Sequence, residues 1–305
     1  MLKCYQLIDG KPVENGAEGA PILVFINPDE AERKRLLEEF RLDEHTLHSS
    51  LDPDELARLE FEPEHSALIV KRPKNYSSQD QFLFRVSSSG MFLFKDRLII
   101  VRSDDAPIFD GKSFAKIRTL PELLLKLINR SIFHFLEHLK IINMISDELE
   151  QKINKAMENR YLLNLFTLEK SLVYYLNAIN SNGMLIEKLR YNAAKMGFSQ
   201  EDAELLDDTK IENDQCYKQA EIYSNILAGM MDARASVVSN NLNVLLKTLN
   251  IITIGIMVPT LVVSIFSMNV KLPISENHPL AFWTIMGMAG AALAIFMYFW
   301  WRKKW

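Results

Sequence analysis

An apolar stretch at residues 249–268 carries polar and sulfur-containing side chains at regular intervals. They form two series with a seven-residue spacing: Asn250, Met257 and Ser264, and Thr253, Thr260 and Ser267. Seven residues make nearly two helical turns, so both series fall on one face of a helix. Because a polar group without a partner is costly in hydrocarbon, the pattern predicts a membrane helix whose polar face lines a watery pore.

A second apolar run, Leu280–Trp301, follows a short loop and ends at the basic residues Arg302, Lys303 and Lys304. Each run is long enough to cross a hydrocarbon core of about 30 Å at about 1.5 Å per residue. Basic residues lie at the outer ends of the pair, and the loop between the runs holds one Lys and one Glu. The positive-inside rule therefore predicts a hairpin with both termini in the cytoplasm.

The first 120 residues show the pattern of a mixed α and β domain. Helix starts are indicated at Asn27-Pro28-Asp29, leading into Glu30–Phe40, and at Asp52-Pro53-Asp54-Glu55. The run Ser87–Gly90 has the composition of a turn. Runs rich in apolar and β-branched residues predict strands at Pro21–Ile26, Ala67–Lys71, Gln81–Val86, Met91–Phe94 and Arg97–Val101, the last two joined as a hairpin.

Between Pro121 and Pro259 the chain has no proline and little glycine, which predicts long helices. One helix is expected from Leu120 to about Asn159, and a second from about Leu162 to Lys195. Gly197 ends the second, and Ser199 starts a third that continues into the first membrane segment. We divide the chain into a cytosolic α/β domain (1–120), a cytosolic helical region with the stalk helix (121–248) and a transmembrane hairpin (249–305). In the hairpin, helices at 249–268 and 280–301 flank an outer loop at 269–279, and a basic cytosolic tail follows.

Charge and cysteine content limit the function classes. The net charge of the whole chain is −4. Residues 250–305 have a net charge of +3, so residues 1–249 have a net charge of −7. An acidic soluble part argues against nucleic-acid binding and is compatible with cations. Two distant cysteines do not form a disulfide framework, and residues 1–18 lack the apolar core of a signal peptide. No motif of an enzyme active site is present, so we expect a protein that is not an enzyme.

The sequence resembles the CorA-type magnesium and cobalt transporter family over nearly its whole length. The strongest similarity runs from Met231-Asp232 to Asn269 and ends in Ser267-Met268-Asn269, where the family has Gly-Met-Asn. Further similarity lies at Leu36–Phe40, at Phe92–Asp96 and in the basic tail that ends at Trp305.

The resemblance implies a homopentamer in the cell membrane with a cytosolic αβα funnel domain, a stalk helix and a pore lined by five first membrane helices. It places Asp232 and Asn243 at polar rings on the cytoplasmic side, and Leu246 and Leu249 at a hydrophobic constriction. The pathway then continues along Asn250, Thr253, Met257, Thr260, Ser264, Ser267, Met268 and Asn269. Its substrate is a divalent cation, with Mg²⁺ favoured and Co²⁺, Ni²⁺ or Zn²⁺ open. The same cation acts as cytosolic regulator, without a tightly bound cofactor, and Asp207 and Asp208 are candidate regulatory ligands between subunits.

Two departures from the family pattern support an alternative. Ser267 replaces the tripeptide glycine, which permits a tight turn, and Lys271 stands where the family often has acids. A basic mouth repels divalent cations. The alternative is a membrane-anchored, non-conducting metal sensor or scaffold with the same architecture.

Other interpretations also stay open at this point. The polar stripe can instead join membrane helices, and Gly287, Gly290, Ala291 and Ala294 are typical of close helix packing. Asp104-Asp105 is either a cation site or a solvated pair. His134 and His138 have zinc-ligand spacing without a visible third ligand, which favours a structural role.

Overall fold

The computed structural model describes residues 1–16, 19–77, 80–155, 159–270 and 279–303. The chain forms two compact units, Met1–Met231 and Asp232–Trp305. The boundary falls inside one helix of 67 residues, Gln200–Phe266. Each unit is described by itself.

The first unit is built on a sheet of seven strands in the order β2-β1-β3-β7-β6-β5-β4. The β3 and β7 strands are parallel, and the other neighbouring pairs are antiparallel. The strands are β1 (Leu2–Ile8), β2 (Lys11–Glu14), β3 (Ile22–Ile26), β4 (Arg58–Phe61), β5 (Ser66–Pro73), β6 (Val86–Leu93) and β7 (Leu98–Arg102).

Helices cover both faces of this sheet. In β3, Ile22 and Val24 point into the apolar core shared with α3 (Leu120–Lys155) and α4 (Asn159–Tyr191). Leu23 and Phe25 point into a smaller core on the other face, beside α1 (Glu30–Glu38) and α2 (Glu44–Ser49). A strand buried on both faces has no polar alternation, which explains its continuous apolar sequence. The αβα arrangement expected for the cytosolic domain is confirmed.

The helix start at Asn27-Pro28-Asp29 is confirmed by a complete capping box. The Asp29 side chain accepts from the Glu32 amide at 2.8 Å, and the Glu32 carboxylate accepts from the Asp29 amide at 3.2 Å. These two bonds satisfy backbone N–H groups that have no partner within the helix. The predicted start at Asp52-Pro53 is wrong, because residues 50–57 form turns.

The β6 strand corrects two further predictions. Ser87–Gly90 is part of the strand and not a turn, and the predicted hairpin with β7 is confirmed. A Cβ at Gly90 would lie 2.1 Å from Ser50 Oγ, so glycine here permits α2 to approach the sheet closely. Gln81–Phe84 lies outside any strand, and Gln81 and Phe82 have left-handed φ angles of 47° and 67°. Such angles are incompatible with a strand.

The three long helices match their predictions closely. In addition to α3 and α4, α5 spans Gln200–Phe266 without interruption and passes through Pro259. The second helix ends at Tyr191, earlier than predicted, and Gly197, which was expected to end it, has a left-handed φ of 72° at the close of the turns that follow. Ser199 and Asp202 cap the start of α5, with Asp202 Oδ2 accepting from the Ser199 amide at 2.9 Å. Further along, Leu206, Cys216, Ala220 and Leu227 bury this half of α5 in the core of the first unit.

The second unit contains the rest of α5 and α6 (Ala281–Lys303). Both helices are long and apolar enough to cross a membrane. None of the residues in the most apolar window of α5 is buried within the chain, and only 6% are in that of α6. The core helix of a soluble protein would be mostly buried, so these apolar surfaces are those of membrane helices.

Candidate ion pathway

The residues predicted to line the pore share one face of α5. At about 100° per residue, they fall within about a third of the helix circumference. This face, called the polar stripe below, is exposed at every position: Asp232, Asn243, Leu246, Leu249, Asn250, Thr253, Met257, Thr260 and Ser264. The helix therefore presents the predicted set together on one accessible surface.

The opposite face of α5 is the less exposed one. Its partly buried residues are Ile251, Gly255, Val258, Pro259, Val262 and Phe266. In α6 the less exposed residues also follow one face: Ala281, Ile285, Ala289, Ala292, Leu293 and Phe296. Residues of both helices line one groove, so these two faces are turned towards each other. Helix packing within the chain thus leaves the polar stripe uncovered.

Two sequence interpretations are affected by this packing. The polar stripe does not join α5 to α6 of the same chain, so an adhesive role would have to act between chains. The small residues of α6 also lie on the exposed side: Gly287, Gly290, Ala291 and Ala294. A Cβ added at Gly287 or Gly290 would meet no atom within 4 Å, so their close packing within the chain is absent from the described part of the structure.

Asn250 lies at the edge of the stripe. It lines the groove between the helices, a space of about 560 Å³, together with Lys247, Ile251 and Trp300 among others. Its amide is therefore beside α6, whereas Thr253, Met257, Thr260 and Ser264 lie away from the groove. Asn250 thus belongs to the exposed stripe and also borders the groove.

The hydroxyl groups of the stripe are oriented by the helix backbone. Thr253 donates to the Leu249 carbonyl at 2.9 Å, and Thr260 donates to the Ile256 carbonyl at 2.7 Å. Each hydrogen is used within the helix, so the oxygen lone pairs remain as acceptors. Water bound to a cation donates hydrogen bonds outward, and these oxygens are suitable partners for it.

The outer end of α5 holds the predicted mouth. The helix ends at Phe266, and the Ser267 amide and hydroxyl both donate to the Ser264 carbonyl, at 3.2 and 2.8 Å. None of residues 267–270 has a left-handed φ. The backbone conformation at Ser267 therefore does not require glycine. Met268 and Asn269 are exposed, and Lys271 lies outside the described residues.

The two candidate regulatory carboxylates lie on the first half of α5. Asp207 and Asp208 are both exposed, and Asp207 Oδ1 is 3.6 Å from Arg190 Nη1. Within the described ranges, no group of three or more His, Cys, Asp or Glu side chains is placed to hold a metal ion. A regulatory site at these residues would need ligands from a second chain, as the sequence interpretation supposed.

The other metal candidates are engaged in the fold. Asp104 is paired with two buried arginines, and Asp105, which is exposed, is paired with Lys3, so both carboxylates already have cationic partners. The rings of His134 and His138 lie 4.5 Å apart, and His138 Nδ1 is 2.6 Å from the Tyr175 hydroxyl. Burial lowers the pKa of each histidine to about 4, so both are neutral at physiological pH. The contact of His138 with Tyr175 is consistent with the structural role that the sequence favoured.

Sequence reasoning did not identify the arginines beside Asp104. Arg72 and Arg102 end the apolar alternations Leu68-x-Val70-x-Arg72 and Leu98-x-Ile100-x-Arg102 in two strands. In each strand the next inward position should be apolar but holds an arginine. This break in the pattern was the signal in the sequence for a buried charge.

Comparison with known proteins agrees with this architecture. The model of the family described as CorA-like Mg²⁺ transporter protein matches residues 18–304. The cobalt/magnesium transport protein CorA of Methanocaldococcus jannaschii is 24% identical over 289 residues, which cover 92% of this chain and 89% of that protein.

Two solved structures have the same fold over almost the full chain. The complete structure of the CorA magnesium transporter from M. jannaschii has a TM-score of 0.82 at 22% identity, covering 99% of this chain and 96% of that one. The full-length CmaX protein has a TM-score of 0.72 at 14% identity, covering 100% and 97%. The α/β unit, the long helix and the two apolar helical segments at the end of the chain agree with this family. Because the family model matches residues 18–304, the protein belongs to the CorA-like Mg²⁺ transporter family.

Proposed function

We propose that the protein is a homopentameric channel for divalent cations in the cell membrane, with both termini in the cytoplasm and Mg²⁺ as the favoured substrate. The observation that carries this proposal is the exposed polar stripe of α5 on the face opposite α6. One hairpin cannot enclose a pore, whereas a closed ring of copies turns each stripe towards a common axis.

The chemistry of the stripe suits a strongly hydrated cation. Mg²⁺ gives up its water reluctantly, and neutral hydroxyl and amide oxygens can bind that water without replacing it. Because Thr253, Thr260 and Asn269 carry no charge, the ion is held weakly enough to leave, as conduction requires. In the pentamer, each of these residues forms a ring of five equivalent side chains. Met257 forms a flexible apolar ring between the rings of Thr253 and Thr260.

Control of the flux is assigned to the cytoplasmic half of the pathway. Leu246 and Leu249 form an apolar constriction that can exclude water, while Asp232 and Asn243 provide polar rings below it. Cytosolic divalent cation acts as the regulator at Asp207 and Asp208 across subunits. These carboxylates are exposed and therefore accessible to a neighbouring chain. When the regulator dissociates, the constriction opens and ions move passively with the membrane potential.

The membership in a transporter family does not favour the non-conducting sensor. The first observation in favour of that alternative was Ser267 in place of glycine, but the backbone conformation at Ser267 does not require glycine. The second observation, Lys271, lies outside the described residues.

Dye-reported uptake of Mg²⁺ into proteoliposomes tests the proposal. Wild-type protein should give uptake above empty vesicles, and Asn269→Ala should abolish or strongly reduce it. Thr260→Val should lower the flux several-fold, because it removes an acceptor oxygen from the stripe and keeps the side-chain shape.

Thr284→Val is the matched control. Thr284 lies on α6 and also donates its hydroxyl to its own helix, to the Ala281 carbonyl at 2.8 Å. Uptake should stay at the wild-type level in this variant. Equal losses of uptake in Thr260→Val and Thr284→Val would contradict the assignment of the pore face. A monomeric mass measured in detergent would contradict the pentameric pore.

A further inference from the structure

One end of the sheet in the first unit has an unusual cluster of buried cations. Along β5, β6 and β7, the face that packs on α3 is apolar at Val70, Met91 and Ile100. Two residues further along, the same face carries Arg72, Ser89 and Arg102, all more than nine-tenths buried. Ser89 is the direct partner of Arg102 in the sheet register. The strand geometry therefore brings both arginines to one place.

The two guanidinium groups share a single carboxylate. Arg72 Nη2 donates to Asp104 Oδ2, and Arg102 Nη2 donates to Asp104 Oδ1 at 2.9 Å. One negative charge between two positive ones leaves a net positive charge in a buried position. Such a charge is strongly destabilising unless an anion compensates for it.

The hydrogen-bonding capacity of these arginines is also incompletely used. The Nε atoms of both Arg72 and Arg102 are buried and have no partner within the described chain. Arg102 Nη1 is satisfied by the Ala106 carbonyl at 3.0 Å. Burial, and then the charge of Arg72, lower the pKa of Arg102 to about 10, so that it remains charged at neutral pH.

A cavity of about 270 Å³ lies between these strand ends and α3. Its polar lining includes Arg72, Arg102, Arg130, Ser89, Ser131 and His134. Arg72 and Arg102 reach the cavity from the sheet and Arg130 reaches it from α3, so three guanidinium groups share one lining. A water molecule occupies about 30 Å³ in the liquid, so the cavity has room for a tetrahedral oxyanion and its first waters or a small attached group.

We propose that this cavity binds the phosphate group of a cytosolic phosphate compound. Phosphate carries nearly two negative charges at neutral pH and several strong acceptor oxygens. Guanidinium forks match those oxygens geometrically, and the Ser89 and Ser131 hydroxyls and the Asn75 amide supply further donors in the lining. Inorganic phosphate and the phosphate of a nucleotide share this chemistry.

Two acidic residues, Asp110 and Glu137, reduce the positive charge at the cavity. Asp110 lines it and offsets part of the positive charge. Glu137 accepts from Arg130 Nη1 at 3.1 and 3.2 Å and so holds this arginine from its outer side. The lining itself carries three arginines and one acid, and Asp104 and Glu137 pair with these arginines from outside the lining. Cation binding is therefore disfavoured here.

Calorimetric titration of the full-length protein in detergent, without divalent cations, tests the proposal. Sodium phosphate should bind saturably with one site per chain, whereas sodium chloride at equal ionic strength should give only dilution heat. Adenosine monophosphate is the second arm. Tighter binding of this nucleotide than of inorganic phosphate would identify a nucleotide source, and weaker binding would identify the free ion.

Variants at the exposed Asp110 and the partly exposed Arg130 should keep the fold. Arg130→Gln should weaken phosphate binding by about 10- to 100-fold, the effect of one charge-assisted hydrogen bond. Asp110→Asn should tighten binding, because it removes a repulsive charge. Arg118→Gln is the matched control, since Arg118 is exposed before α3 and pairs with Glu201 at 2.8 Å away from the cavity. Absence of saturable phosphate binding in the wild type, or unchanged binding in Arg130→Gln, would overturn the proposal.

Discussion

Replacing Asp104 by asparagine should destabilise the first unit strongly. Asp104 Oδ1 accepts from Arg102 Nη2 at 2.9 Å and from the Ala106 amide at 3.2 Å, and Oδ2 accepts from Arg72. In Asp104→Asn, one oxygen becomes an NH₂ group that faces a guanidinium donor. Two buried cations then lose their shared counter-charge while the side-chain volume stays the same.

The expected loss follows from this geometry. Removing one partner of a buried ion pair costs about 3–5 kcal/mol. For a unit of this size, 1 kcal/mol corresponds to a shift of about 2–4 °C in the unfolding midpoint, so we expect a decrease of roughly 6–20 °C. Burial alone would raise the pKa of Asp104, but Arg72 and Arg102 outweigh it and lower the pKa. The carboxylate thus contributes its stability above the ordinary pKa and loses it as the pH falls through the lowered folded-state value.

The chain offers two spectroscopic reporters for the two units. Cys4 and Cys216 are buried in the first unit, so a thiol-reactive dye reports its unfolding during heating. All four tryptophans lie in residues 283–305, so their fluorescence follows the second unit. The dye midpoint should fall in Asp104→Asn, with little change in tryptophan fluorescence at that temperature.

Asp105→Asn is the adjacent control. Asp105 is half-exposed and pairs with Lys3 at the surface, where an ion pair contributes about 0–1 kcal/mol. Its midpoint should therefore stay within a few degrees of the wild type. A loss in Asp104→Asn no larger than that in Asp105→Asn would refute the reasoning, and so would a difference that persists in acid well below the ordinary pKa of aspartate.

Two further predictions concern the face of the sheet near α2 and the turn that follows it. Gly90→Ala should lower the dye midpoint by several degrees, because the new Cβ would lie 2.1 Å from Ser50 Oγ and 2.6 Å from Ser50 Cβ. Ser50→Gly in the same chain should restore part of the loss, and an unaltered midpoint in Gly90→Ala would contradict the close approach. Burial lowers the pKa of Lys71 to about 8, so the unfolded state binds this proton more tightly. The unfolding free energy should rise by up to about 3 kcal/mol between about pH 8 and 10.5, and Lys71→Met should lack this rise in chemical denaturation.

The long helices were predictable because their signals are local and repeated. The absence of proline, the sparse glycine and the cap at Ser199 placed α3, α4 and α5 within a few residues of their observed ends. The residues of the predicted polar stripe share one exposed face of α5, and their role in a pore stays a prediction. Whether that face conducts ions depends on neighbouring chains, which a single sequence does not show.

The errors cluster where distant contacts override local composition. Ser87–Gly90 has turn composition, yet Ser88 accepts from Lys71 Nζ at 3.0 Å and Gly90 packs against Ser50 inside the fold. Lys71 also donates to the Pro53 and Glu55 carbonyls, both at 2.6 Å, which holds this segment as a turn where a helix start was predicted. One buried lysine thus connects both errors. Its partners lie 16 to 18 residues away along the chain, beyond the range of local patterns.

The arrangement of the membrane helices bears on how this chain achieves its function. A polar stripe buried against α6 would have argued for a structural role, since its oxygens would then have partners within the chain. Here α6 covers the opposite face, and the threonine hydrogens are already bound to backbone carbonyls. The hydroxyl hydrogens of Thr253 and Thr260 therefore need no partner from another chain. In the proposed ring of copies, their free acceptors face the common axis, and a hydrated cation is the occupant that such neutral oxygens suit best.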